Sequence, residues 1–417
     1  MSALDRPLRS FRISVVLCAL LLALLAGGCA TLPTEYREPP ALSQVERTKL
    51  NEKVFDRAWS LVDRKYFDAS FRGVDWKAMR ERYRPEAIAA KDDDALYAVL
   101  NRMCAELKES HLVALTPRRA HEIATEHRAA IGVRWEMLDG KRVVIDVVPG
   151  GPADRAGIRR GWLVVTRNGA PIRDEVPFVT HLGQPVTYGF LDEHDVERTF
   201  TLRPELLNFE RLEVRPLAGD FVYLRFDRFA RETLSWLSRQ LKAHRGAPGV
   251  VIDLRNNHGG SALALTVALA EFFPGRVAEG EMVHRSGRTK QSHSLSWFSA
   301  RYSGDVVLLV GPETGSAAEI FSHVLQHRGR ATVIGRKTAG AVIYSRSYRL
   351  PGGGELQIPV TDYVGLDGER LEGRGVKPDI ELPKPTLEDR RSVRDVELER
   401  ALEVLQGADR KALDNAA

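Results

Sequence analysis

The chain has 417 residues, enough for two or three domains with cores of their own. Hydrophobic content of 43% and charged content of 28% are those of a folded globular protein. Lys and Arg number 61 against 56 Asp and Glu, and no basic run is interleaved with aromatics, so nucleic acid is not an expected partner.

The N-terminus reads as a targeting segment. Arg6, Arg9 and Arg12 precede an apolar run, Ile13 to Ala26, which is short for a bilayer span and has the makeup of a signal h-region. It ends in LAGGCATLP, Leu25 to Pro33. The small residues before Cys29 resemble a bacterial lipobox, with Ala26 where Leu is usual. The resemblance implies a signal peptide over residues 1–28, lipidation of the Cys29 thiol and membrane attachment through it. Ala30 follows, not the Asp that often keeps lipoproteins in the inner membrane, so the expected place is the outer membrane, facing the periplasm. A retained anchor or a plain secretory signal are the competing readings. Cys18 leaves with the signal and Cys29 carries lipid, so Cys104 has no partner for an intramolecular disulfide and reads as a small buried hydrophobe.

Residues 29–43 are rich in Pro and polar residues and form an expected tether. A helical domain follows over 44–118, where apolar residues recur at three and four: Val54, Ala58, Leu61, Val62, then Leu96, Val99, Leu100, Met103, Leu107. The acidic start of DDDALYAVLNRMCAEL fits a helix N-terminus. Directly after it stands KESHLVALTP, which carries Ser110 and His111.

From about Ala129 the period shortens to that of strands, with a Gly-Pro turn and a short helix around Ala153 to Ala156. The stretch PADRAGIRRG followed by NG resembles a PDZ domain of the kind found in bacterial proteases, here over 127–205, although Trp162 stands where such domains usually carry Asp. The resemblance implies a groove that takes a peptide C-terminus as an added strand, with N–H donors in the loop at Ile131, Gly132 and Val133. A rigid spacer with an empty groove is the alternative.

The third block, 206–385, alternates strand and helix. GVVIDL leads through RNNHGG into SALALTVALAEFF, and DVVLLVG leads through PETGS into AAEIFSHVLQHRG. Continuous apolar strands separated by helices predict a buried, largely parallel sheet. Sites in such sheets form at the carboxyl ends of the strands, where Ser316 sits. A serine there is also a common helix N-cap. The Ala317 N–H opens that helix, and Gly259 and Gly260 let backbone approach a substrate closely, so the two turns offer an oxyanion hole. No cluster has metal-ligand spacing: His323 and His327 share a helix face but lack a third ligand, and no metal or other cofactor is expected. The tail, 386–417, reads as a charged amphipathic helix over Leu387 to Leu405.

VIDLRNNHGG, TGSAAEIF and LEGRGVKPDI occur here in the order and spacing of the tail-specific, or C-terminal processing, serine peptidases, and the resemblance covers nearly the whole mature chain. It implies a multidomain α/β protein: a crotonase-like (ClpP-like) protease core, a small helical N-domain and a PDZ domain. It also implies that Ser316 is the nucleophile, with oxyanion donors at Gly259-Gly260 and Ala317. One branch of the family uses a Ser/Lys dyad whose lysine lies in a TxGKG-like stretch. The matching stretch is GRKTAGAVIYS, where that lysine aligns with Ala341, and Lys337 lies four residues early, as a solvent-facing loop residue. The branch typified by the tricorn protease core uses a tetrad instead, and this chain has its parts. Ser110-His111 follow MCAELKE, and Glu372 precedes GRGVKPD.

The resemblance therefore makes His111 the base for the Ser316 hydroxyl, with Ser110 and Glu372 orienting and polarising it. Taken singly, His111 also reads as a helix cap, Ser110 as a turn cap, Glu372 as a loop acid and His258 as a rival base. The expected activity is hydrolysis of polypeptide substrates through an acyl-enzyme in the cell envelope. The competing functions are a catalytically inactive protein binding peptides or apolar ligands on the same scaffold, and a PDZ adaptor.

Overall fold

The computed structural model describes residues 35–172, 180–295, 301–392 and 394–407. The expected signal segment and Cys29 lie outside the described residues.

The first module is helical. Gln44–Lys65 starts at a reciprocal cap in which Ser43 N–H donates to Glu46 Oε2 and Glu46 N–H to Ser43 Oγ. Trp76–Ile88 is capped by Asp75 and Asp93–Ala105 by Asp92. Their apolar stripes converge on Phe55, Leu61, Leu96, Leu100 and Met103. Cys104 is sealed in this core, and burial pushes its thiol up to about 12. The module does not close on itself. Its core continues onto Leu350, Leu356 and Ile358, and the strand Val113–Leu115 pairs antiparallel with Glu355–Val364. The turn between Asp93–Ala105 and Val113–Leu115 therefore lies on the seam with the rest of the protein.

Residues 128–207 form a β-module. Five strands, Val133–Leu138, Lys141–Val147, Leu163–Arg167, Val186–Leu191 and Glu197–Leu202, neighbour one another in that order and pair antiparallel. Among the described residues, Val133–Leu138 pairs in this sheet on one side only, with Lys141–Val147. Trp162 packs against Phe190 and Phe200, and its indole N–H donates to Glu193 Oε2 at 2.6 Å. An acid has no place inside that aromatic core; a Trp with a partner at its polar end does.

The largest module carries a six-stranded sheet whose spatial order follows the chain: Leu212–Pro216, Val222–Phe226, Gly249–Asp253, Asp305–Val310, Thr332–Gly335, Ile380–Glu381. Only the first pairing is antiparallel. Alternation sorts the two faces. Val222, Leu224, Val250, Ile252 and Leu308 meet the helices Arg231–Ala243, Ala262–Ala270 and Ala317–His327. Tyr223, Val251, Val307 and Leu309 meet Val396–Leu405. Burial on both faces is why these strands read as unbroken apolar runs.

The tail differs from the expected single helix. It forms two, Leu387–Arg391 and Val396–Leu405, with the chain extended at Ser392. The break lets Asp395 cap the second helix through the Leu398 N–H while its carboxylate receives Arg255 at 2.8 Å. The first helix rests on the β-module, where Arg390 donates to Glu136 and Arg391 to Asp195. Gly161 is needed there, since a Cβ would stand 2.7 Å from Arg391 Cα.

Candidate active site

Ser316 sits between the strand Asp305–Val310 and the helix Ala317–His327, with φ 53° and ψ −120°. A positive φ at a non-glycine residue is strained, and the surroundings must hold it. They do so through the backbone: Ser316 N–H donates to Ala341 O at 2.9 Å and to Glu319 Oε2 at 3.1 Å, and Gly315 N–H donates to Asn257 O at 3.0 Å. The Glu319 N–H donates to the Ser316 carbonyl at 2.9 Å, so the backbone of the turn and the Glu319 side chain together close the helix N-terminus. A tight strand-to-helix turn of this kind lifts a hydroxyl clear of the sheet edge.

The RNNHGG turn lies directly against it. A Cβ on Gly259 would stand 2.5 Å from Ser316 Cβ and 2.9 Å from Ala317 N, so glycine is what allows the two turns to touch. A Cβ on Gly260 would stand 2.3 Å from Phe229 O. Gly259 N–H donates to Asn257 Oδ1 at 2.9 Å and is therefore occupied, although the sequence placed it among the oxyanion donors. Among the described residues, the Gly260 and Ala317 N–H groups donate to no protein acceptor. Both are free for an anion that forms beside Ser316.

Ser110, His111 and Glu372 are joined by hydrogen bonds. Ser110 Oγ and His111 Nδ1 are 2.7 Å apart. Ser110 N–H donates to Glu372 Oε1 at 2.9 Å, across 262 residues of sequence. The other carboxylate oxygen of Glu372 receives the Val342 N–H at 2.6 Å. Val342 follows Ala341, whose carbonyl holds Ser316 N–H. One peptide group thus connects the serine turn to the carboxylate that anchors Ser110-His111. No hydrogen bond joins Ser316 Oγ to His111 among the described residues. With Nδ1 engaged by Ser110, Nε2 is the ring nitrogen left for a proton transfer. Burial lowers the His111 pKa below its ordinary value, while the negative charges of Glu372 and Glu109 pull it back up.

One residue the sequence reading passed over is Glu319. Its buried carboxylate receives Thr338 Oγ1, the N–H groups of Gly340 and Ala341, and Ser316 N–H. Burial raises its pKa and these donors work against that rise. Glu319 ties the Ser316 turn to the 338–341 loop. Its signal was present as S-x-x-E, the pattern of a helix capping box. Lys337 on the same loop is exposed. His258 is also exposed, with Nδ1 3.6 Å from Glu313 Oε2. His323 Nε2 accepts the Leu366 N–H at 3.0 Å, which commits that ring to a backbone contact.

A cavity of about 1260 Å³ opens between the β-module and the core. Ile131, Val133 and Trp135 line one wall, with Arg255, His258 and Glu313 on another. Gly132, at φ +88°, passes its carbonyl to Val148 N–H, and a Cβ there would meet Leu207 at 3.1 Å.

Residues 220–382 match the profile of Peptidase family S41, and residues 49–105 match the tricorn protease C1 domain. The chain is 26% identical over 414 residues to the carboxyl-terminal-processing protease of Synechocystis sp., covering 93% of each. It is 27% identical over 372 residues to the chloroplastic C-terminal processing peptidase of Tetradesmus obliquus, covering 80% of this chain and 78% of that one. Among solved structures it resembles the photosystem II D1 C-terminal processing protease, with a TM-score of 0.58, 24% identity and coverage of 85% and 97% of the two chains. It also resembles the tricorn protease, with a TM-score of 0.53, 18% identity and coverage of 90% of this chain and 38% of that one. These two likenesses are of a mixed α/β fold. The protein is a serine peptidase, in which residues 220–382 are similar to Peptidase family S41 and residues 49–105 to the tricorn protease C1 domain.

Proposed function

We propose that the protein is a lipid-anchored endopeptidase of the bacterial cell envelope that processes polypeptides through an acyl-enzyme on Ser316. The observation that carries the mechanism is the connection Ser316 N–H to Ala341 O, then Val342 N–H to Glu372, then Glu372 to Ser110 N–H, with Ser110 Oγ on His111 Nδ1. In this reading Ser316 Oγ adds to the substrate carbonyl carbon as its proton passes to His111 Nε2. The carbonyl oxygen, now negative, takes the free N–H groups of Gly260 and Ala317. Collapse breaks the C–N bond, and the proton on His111 leaves with the amine. Water then repeats the sequence on the ester. Ser110 fixes the ring, and the Glu372 charge favours the imidazolium that forms twice in each turnover. No metal or cofactor is required for these steps.

The β-module is read as a PDZ domain whose edge at Val133–Leu138, preceded by Ile131 and Gly132, receives a peptide C-terminus by strand addition. Cys29 supplies the lipid attachment, at the outer membrane facing the periplasm. The test is a fluorophosphonate probe on the purified protein, followed by mass spectrometry of the adduct. Labelling at Ser316, lost in Ser316→Ala with the fold retained, is the expected result. Undiminished peptide hydrolysis by Ser316→Ala would move the active site elsewhere.

A further inference from the structure

The helical module presents the turn Glu109-Ser110-His111 to the core segment Arg370-Leu371-Glu372, and two contacts join them. The inner rung is Ser110 N–H to Glu372. The outer rung is an ion pair: Arg370 Nη2 stands 3.1 Å from Glu109 Oε2. Leu371, between the rungs, is fully buried. The Glu109 side chain has no solvent exposure, and it also receives Tyr66 OH at 2.8 Å and Arg72 Nη1 at 2.7 Å. Arg370 is held in turn by Asp362, to which its Nε donates at 2.7 Å and 2.9 Å.

We propose that Glu109 and Arg370 are positioning residues for the catalytic base, locking the turn that carries His111 against the core. This rests on the reading of His111 as the base. The strand Val113–Leu115 ties the far end of the turn to Glu355–Val364, and the bond from Ser110 N–H to Glu372 fixes its middle. The Glu109–Arg370 pair fixes the near end, and a displacement of about 1 Å at a catalytic group costs about a hundredfold in rate. Stability alone is a poor reason for this pair, because a buried ion pair seldom outperforms well-packed apolar residues. Its charges also reach the ring. The carboxylates that act on His111 are Glu372 and Glu109; Arg370, Arg72 and Tyr66 stand behind Glu109, and Asp362 behind Arg370. Arg370 therefore moderates how strongly Glu109 favours the imidazolium.

The test compares pH profiles of kcat/KM on one peptide for the wild type, Glu109→Gln, Arg370→Met, Arg370→Lys and His111→Ala. Glu109→Gln keeps the shape and removes the charge, so the acid limb moves to lower pH by at least ~0.3 unit, a fraction of what a contacting charge does. Arg370→Met leaves Glu109 less neutralised, so the limb moves to higher pH, and kcat falls about tenfold or more with KM little changed. Arg370→Lys recovers most of both. A seam that only holds the modules together lowers Tm in these variants without displacing the limbs in opposite directions. Limbs that coincide with the wild type, or move the same way, overturn the proposal. If Arg370→Met does not fold, a folded Glu109→Gln with an unmoved limb overturns it alone. An active His111→Ala would instead remove the base reading, which the other variants leave untouched.

Discussion

At the scale of single residues, the site separates two bases that a peptidase of this kind can use. Lys337 is exposed, and Ala341 stands where the resemblance places the dyad lysine. His111 is held by Ser110 and its pKa is lowered by burial. A base must be neutral to accept a proton. Activity should therefore fall on acidification, with a midpoint below the ordinary histidine value of 6.5. His111→Ala should lose several orders of magnitude in kcat/KM, and Lys337→Ala should remain close to wild type. A dead Lys337→Ala beside an active His111→Ala would reverse the assignment. The same shift acts on stability. The unfolded chain binds the His111 proton more readily than the folded one, so this group's contribution begins to fall below about 6.5 and is lost as pH drops through the lower folded value. How much of this was legible varied from residue to residue. Ser316, Ser110, His111 and Glu372 stand in motifs that the sequence displays. The occupation of Gly259 N–H by Asn257 was not readable, because it depends on the direction of one side-chain amide.

At the scale of elements, two turns 57 residues apart in sequence share one surface because Gly259 has no side chain to keep them apart. Gly259→Ala places a methyl where Ser316 Cβ already stands and asks alanine to adopt φ +95°. The turn must shift and carry Gly260 with it. The expected loss is about 10²- to 10³-fold in kcat, the scale of one oxyanion donor, with the far-ultraviolet circular dichroism spectrum unchanged. Wild-type turnover in a correctly folded Gly259→Ala would show that Gly260 does not serve the reaction. The parallel strands and the helices after them were readable because burial on both faces writes them as unbroken apolar runs. The tail was not. Its break answers to Arg255, about 140 residues earlier, and no local periodicity reports a partner at that distance.

At the scale of the whole molecule, the site belongs to no single module. The helical module brings Ser110 and His111, the sheet brings Ser316 and Gly260, and the loop after Glu355–Val364 brings Glu372. On the proposed reading, where the protein resides turns on Cys29. Cys29→Ser should leave the protein unprocessed or release it into the soluble fraction, since the lipids are the expected membrane attachment of such a module. Unchanged fractionation together with an unchanged mass would sink that expectation.

The bond from Ser110 to Glu372 spans 262 residues, and Glu372 is the last of the four site residues to be synthesised. A chain made from its N-terminus presents His111 first, Ser316 much later and Glu372 last. Until that final segment is made, the turn that carries His111 lacks its bond to Glu372 and the Val342 N–H has no carboxylate. On the proposed reading, the order of synthesis alone therefore delays assembly of the site until the chain is nearly complete.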